Sequence, residues 1–93
     1  MIFNSEVRIK ILALLYGMEY CEFSYLREKL KVSPGNLEHH LKILEKEGLV
    51  IIKKAITKKG IRTVVKITEK GKEEFKKFLG EILNLTNLER EDK

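Results

Sequence analysis

The chain is poor in cysteine, glutamine and aspartate and has no long apolar run, and these shortages narrow its class before any motif is read. A lone cysteine, Cys21, cannot form an internal disulfide, and one thiol is too few for a zinc site built from cysteine pairs. Cys21 therefore reads as a small buried hydrophobe. The longest apolar run lies around Ile11 to Gly17, far short of the roughly 20 residues that span a bilayer. The Met-Ile-Phe-Asn start carries no signal-peptide pattern, so a soluble, cytoplasmic protein with no membrane partner is expected. There is no glycine-rich phosphate loop, no nucleophile with an evident base and, in one small core, no room for a deep pocket; neither an enzyme nor a cofactor is expected. Repeats, low-complexity tracts and linkers are missing too. The absence of glutamine and the single aspartate, beside abundant lysine, glutamate and isoleucine, resemble the composition of heat-adapted proteins.

What remains is a globular composition, 43% hydrophobic and 35% charged over 93 residues, which argues for one ordered domain spanning residues 1–93. So small a domain buries a modest fraction of its surface, and a helix docked between two copies would add to it. The net charge is +5. Its placement is more informative than its size. The segment from Lys53 to Arg62 holds Lys53, Lys54, Lys58, Lys59 and Arg62 with no acid, so one patch accounts for the whole of the net charge and points to an anionic partner.

The most legible stretch is Ser33 to Gly48, with a start signal, a stop signal and two faces. Ser33 can cap a helix with its hydroxyl, Pro34 fits the first helical position, and Gly48 can end the helix in the left-handed region. Leu37, Leu41 and Leu44 form an apolar stripe for a core. The other side carries Gly35, Asn36, Glu38, His39, Lys42 and Lys46, groups able to meet base edges or phosphates.

Before this stretch, Asn4 or Ser5 can cap a first helix running to about Tyr16, with Gly17 as its stop. From Ile11 onward it is so apolar that burial on more than one side is expected. Tyr20 to Phe23 is available for a brief edge strand, and Ser24 can cap a second helix bearing Leu26 and Leu30. After Gly48 the pattern turns to strand, Leu49 to Ile56, then a hairpin tip at Thr57 to Gly60. The return strand alternates, with Ile61, Thr63, Val65 and Ile67 on one face and Arg62, Val64 and Lys66 on the other. The hairpin must lean on the helices, because two strands alone are unstable in water. Thr68 can cap a last helix in which Phe75 and Leu79 are expected in the core. Its apolar surplus of Phe78, Ile82, Leu83, Leu85 and Leu88 suits a homodimer interface.

The expected architecture is thus mainly α with a small β-hairpin, an α+β fold of order α-α-α-β-β-α. The run from Val32 to Val50, the Lys/Arg-rich hairpin and then Thr68-Glu69-Lys70-Gly71 together resemble small prokaryotic, archaeal-type winged helix-turn-helix regulators of the ArsR/MarR-like type. The resemblance spans roughly Asn4 to Leu79. It rests most on Asn36-Leu37, His40-Leu41, Leu44-Glu45 and Gly48-Leu49-Val50 in combination with the downstream Thr-x-x-Gly. It implies a helix-turn-helix at about 24–47, a wing at about 49–67 and a dimerisation helix at about 69–88. It also implies transcription regulation through double-stranded operator DNA, bound by a homodimer with the recognition helix in the major groove and the wing on the backbone or minor groove. Metal sensing does not transfer, because there is no Cys-x-Cys in the second or third helix. His39 and His40 point about 100° apart and do not chelate with Cys21, so no metal is expected. No small-molecule effector can be named from the residues.

On this reading Pro34, Gly35, Asn36, Glu38, His39, Lys42 and Lys46 are the DNA-binding residues of the recognition helix, and Lys53, Lys54, Lys58, Lys59 and Arg62 those of the wing. His40, beside the apolar stripe, is expected to be structural. Two rivals share the fold: a winged-helix protein-interaction module, for which a neutral or acidic wing is expected, and a nonspecific architectural DNA binder.

Overall fold

The computed structural model describes residues 2–91, and side chains through residue 87. A 3-10 turn at Ile2–Asn4 leads into α1 (Glu6–Met18), followed by β1 (Tyr20–Glu22), α2 (Phe23–Leu30), α3 (Pro34–Lys46), β2 (Val50–Thr57), β3 (Gly60–Ile67) and α4 (Glu69–Glu91). This is the winged-helix order, and the brief edge strand is present as β1. The three strands form one antiparallel sheet of order β1-β3-β2. Its register aligns Cys21, Val65 and Ile52 in one row and Tyr20, Lys66 and Ile51 in the next.

Because side chains alternate along a strand, that register gives the sheet two unlike faces. One carries Cys21, Val50, Val65 and Ile67, all buried, and meets Ile11, Leu12 and Leu15 of α1, Leu26 of α2, Leu37, Leu41 and Leu44 of α3, and Phe75 of α4 in a single core. Each fully buried leucine there contributes about 1.5–3 kcal/mol relative to an exposed one. The other face leaves Tyr20 and Ile51 exposed. Burial drives the Cys21 thiol up to about 11, so it packs as an apolar group. No helix among the described residues is long and apolar enough to cross a membrane.

Two local expectations are corrected by tertiary contacts. Helix α1 passes through Gly17 to Met18, and Glu19 takes the positive φ of 73°. That conformation is held from both sides: the Glu19 N–H donates to the Leu15 carbonyl, its carbonyl accepts from the Ile67 N–H, and its carboxylate accepts from Lys72 Nζ at 2.7 and 2.8 Å. Of the two expected caps, Asn4 or Ser5, it is Ser5 that caps the start. Helix α2 begins at Phe23, one residue before Ser24, and Glu22 stands at its N-cap without a side-chain bond; Phe23 packs against the core, and that burial substitutes for a cap.

On α4 two neighbours differ in burial from what was expected of them. Phe78 stacks on Phe3 with ring centroids 4.4 Å apart, while Leu79 is 38% exposed. The chain's own first turn supplies the partner for Phe78, which removes that ring from the surplus available to a second copy. Helix α1 likewise is buried along two sides but open at Ala13, Tyr16 and Gly17.

Candidate nucleic-acid interface

Helix α3 is built as its residues dictate. The Ser33 hydroxyl accepts from the Asn36 N–H at 3.1 Å, Pro34 occupies the first turn, and Gly48 leaves the helix at φ 77°. With Leu37, Leu41 and Leu44 buried, Pro34, Gly35, Asn36, Glu38, His39, Lys42 and Lys46 are all exposed. At 100° per residue, Gly35, His39, Lys42 and Lys46 lie opposite the buried stripe. Asn36 falls to one side of them and Glu38 to the other.

Contacts at both flanks orient this helix. His40 faces α1, where its Nδ1 lies 2.9 Å from Arg8 Nη1. Arg8 in turn donates to the Ile2 carbonyl and to Asn4 Oδ1. Since a guanidinium only donates, Nδ1 must be the acceptor, and the His40 proton resides on Nε2. Burial, and after it the charges of Arg8 and His39, hold this imidazole below its ordinary value. The neutral form is the one the contact needs.

The end of α3 is fastened to α4 by the Thr-x-x-Gly motif. Thr68 Oγ1 donates to the Gly48 carbonyl at 2.7 Å and accepts from the Gly71 N–H at 2.9 Å. The Thr68 N–H donates to the Leu49 carbonyl, and Lys70 Nζ to the Glu47 carbonyl. A Cβ at Gly71 would collide with the Leu49 carbonyl oxygen and come within 2.8 Å of Ile67 Cγ1. Thr68 and Gly71 are therefore structural, a clasp between the two helices.

Toward the hairpin, α3 borders a cleft of about 420 Å³ lined by its own Pro34, Glu38, Leu41 and Lys42, by Ile52, Lys54 and Thr63 of the hairpin, and by Phe23 of α2. Lys54 Nζ donates to Thr63 Oγ1 at 2.9 Å, so one hairpin cation is positioned across the cleft from Lys42. Lys42 itself lies 3.9 Å from Glu45. At the tip, Thr57 Oγ1 accepts from the Lys59 N–H and donates to the Gly60 carbonyl, and Gly60 adopts φ 102°. Lys58 and Lys59 form the exposed turn itself.

The five hairpin cations do not act as one surface. Lys54 belongs to the cleft face and Lys58 and Lys59 to the tip, but the register pairs Lys53 with Val64 and Ala55 with Arg62, which puts Lys53 and Arg62 on the opposite face. Arg62 Nε also lies 4.0 Å from Glu22 Oε1. The run without acids along the chain thus acquires an acid in space, from β1. Thr63 and Phe23, which complete the cleft, carried no signal in the sequence beyond strand alternation and an apolar position. Among the described residues, no group of three or more His, Cys, Asp or Glu side chains is arranged to hold a metal ion.

Residues 7–86 match the winged helix DNA-binding domain family. The chain belongs to this family. An uncharacterized protein of Methanocaldococcus jannaschii is 60% identical over 85 residues, 91% of this chain and 92% of that one. The solved structure of a transcriptional regulator homologue from Pyrococcus horikoshii OT3 superposes with a TM-score of 0.85 at 37% identity, covering 92% of this chain and 85% of that one. A PadR family transcription regulator from Clostridium difficile shares the winged-helix fold at 16% identity, with a TM-score of 0.78 over 94% of this chain and 97% of that one.

Proposed function

We propose that this winged-helix protein is a transcriptional regulator that binds double-stranded operator DNA as a homodimer, in the manner of ArsR/MarR-like regulators. Helix α3 enters the major groove and the hairpin rests on the flanking backbone and minor groove. The observation that carries the reading is that the hairpin-side flank of the exposed face of α3, at Glu38 and Lys42, and the face of the hairpin that bears Lys54 line one cleft, with Lys42 and Lys54 on its two walls. Asn36 and His39 then meet base edges, Gly35 permits close approach, and Lys42, Lys46, Lys54, Lys58 and Lys59 meet phosphates. Glu38, on the hairpin side of α3, stands where it accepts from a cytosine amine while Lys42 and Lys54 offset its charge. The Pyrococcus horikoshii relative, a transcriptional regulator homologue, supports the regulatory part of the reading.

The dimer rests on α4. Phe75, Phe78, Ile82 and Leu85 recur at spacings of three, four and three, a stripe that starts in the core and runs on into solvent. Ile82, Leu83 and Leu85 are 44%, 62% and 64% exposed, and every side chain from Glu81 to Asn87 is open. Helical turns without a packed face are marginal in water, and a second α4 lying along Leu79, Ile82, Leu83 and Leu85 supplies that face. Leu88, expected in the same interface, has its side chain outside the described residues.

Selection of bound sequences from a random DNA pool at fixed salt, with sedimentation of the free protein, tests both parts. The expected result is a dimer and a two-fold symmetric consensus whose half-sites lie about 34 Å apart. Binding without a consensus would make the protein architectural. A monomer that ignores DNA would leave a protein-interaction module.

A further inference from the structure

The two edges of the sheet are guarded differently. Strand β2, at one edge, carries Lys53 and Lys54, a common protection against pairing with another chain. Strand β1, at the other, carries Tyr20, Cys21 and Glu22, with neither lysine nor proline. The register tells which of its backbone groups are free. The Ile67 N–H donates to the Glu19 carbonyl, and the alignment of Tyr20 with Lys66 sets Glu19 and Ile67 opposite each other. Bonded and non-bonded pairs alternate along an antiparallel ladder. Cys21 and Val65 are therefore the next bonded pair, and the N–H and carbonyl groups of Tyr20 and Glu22 point away from β3. The Glu22 carbonyl, at the N-cap of α2, opens the helical bonding. The Tyr20 N–H, the Tyr20 carbonyl and the Glu22 N–H have no other backbone partner among the described residues.

A cleft of about 420 Å³ is lined by this same strand, at Tyr20, Cys21 and Glu22, together with Met18 and Tyr25. Met18, Tyr20 and Tyr25 are 43%, 61% and 38% exposed, so apolar surface flanks the free backbone groups. The outer face of the sheet, which an added strand would widen, carries Lys53, Arg62 and Lys66 against Glu22 alone.

We infer that the free edge of β1 is a docking site for an extended, acidic segment of a partner protein, which adds to the sheet as a fourth strand and seats an apolar side chain in the adjoining cleft. Main-chain pairing supplies affinity in strand addition, and side-chain pockets supply selectivity. Both are present at this edge. Negative charge on the segment answers the surplus of cations on the outer face. The three-residue length of β1 guards against sheet-to-sheet aggregation and still offers three hydrogen bonds to a single segment. This surface lies outside the DNA contacts proposed above, and the inference does not depend on them.

Glu22 makes a clean test possible. Its φ is −73°, within the range of proline, and its N–H makes no ladder bond, so Glu22→Pro removes an edge donor and leaves the strand intact. Glu22→Gln removes the carboxylate and keeps the donor. Peptides selected on the full-length wild-type protein from a displayed random library are synthesised and titrated against all three proteins. The expected peptides are net negative with alternating apolar residues, and they bind Glu22→Gln at least as tightly as wild type. Their affinity for Glu22→Pro should be about tenfold lower, while its thermal unfolding matches wild type. In wild type, bound peptide should slow hydrogen exchange at the Tyr20 and Glu22 amides.

Failure to enrich any peptide, equal affinity for Glu22→Pro, or unaltered exchange at those two amides would overturn the inference. The exchange measurement needs no variant, so it decides even if Glu22→Pro does not fold. A self-association of wild type that Glu22→Pro abolishes in sedimentation would assign the edge to a second copy and overturn the partner.

Discussion

Helix α3 and the hairpin face the same cleft but are made by opposite means. Helix α3 is held at three places: by three leucines in the core, by the His40–Arg8 contact at one flank, and by the Thr68–Gly71 clasp just past its end. Its own charges nearly cancel, Lys42 and Lys46 standing against Glu38, Glu45 and Glu47. The hairpin carries five cations between Lys53 and Arg62 and is packed only at its base, where Val50, Val65 and Ile67 are buried. A reader of bases needs fixed geometry and little net charge, whereas a holder of phosphates needs charge and tolerates mobility. On the proposed function, the division of structure is a division between specificity and affinity.

The comparison breaks most visibly at the clasp. Gly71→Ala forces a methyl group into the Leu49 backbone, and a destabilisation of about 3 kcal/mol is expected, a fall in melting temperature of about 15 °C for a domain of this size. Calorimetry reads it directly. An unchanged melting temperature would show that the two helices separate at low cost and that α3 is less firmly seated than its contacts imply.

A pair of variants then sharpens the division itself. Lys58→Ala/Lys59→Ala should weaken binding to all DNA sequences alike and reduce the steepness of the salt dependence by about 1.8, at about 0.9 per phosphate lost. Asn36→Ala should instead leave that steepness unchanged and cost about 1–3 kcal/mol of discrimination at one base pair. Arg62→Ala, on the opposite hairpin face and beside Glu22, should move the slope less than either tip lysine. Salt titrations on matched and mismatched duplexes check all four substitutions, and a sequence-dependent effect of the lysines would dissolve the proposed contrast.

The smallest effect concerns His40. Its folded value lies below the ordinary 6.5, so the unfolded chain takes up this proton at a higher pH than the folded one does. The stability linked to the neutral ring is complete above 6.5 and is lost as pH falls through the lower folded value, where a protonated Nδ1 would set donor against donor at Arg8. His40→Gln should therefore show a shallower loss of melting temperature than wild type as pH falls from 6.5 to that lower value. Parallel pH series would place the orienting contact elsewhere.

The local chemistry of α3 was readable in the chain because cap, proline, leucine spacing and terminal glycine all sit within 16 residues and need no partner to be interpreted. The same holds for the hairpin turn. What escaped reading depended on segments distant in the chain. Glu19 adopts positive φ because β3 and Lys72 hold it, and a nearby glycine made the wrong stop more attractive. Phe78 is claimed by Phe3, which lies 75 positions earlier, so spacing along α4 alone assigned the ring to the wrong neighbour. The basic run looked uniform because charge was counted along the chain, while strand alternation divides it and β1 brings Glu22 to one side.

The clasp has a mechanical consequence for a dimer of the proposed kind. Thr68 and Lys70 bond the carbonyls of Gly48 and Glu47, just past the end of α3, to the first turn of α4, and Gly71 abuts the Leu49 backbone, so the end of α3 and the start of α4 move together. In a two-fold pair joined along α4, the angle at which the two long helices cross sets how far apart the two α3 helices stand. The gauge of the operator is then determined at Leu79, Ile82, Leu83 and Leu85, and anything that retunes the crossing angle respaces both reading helices without touching either one.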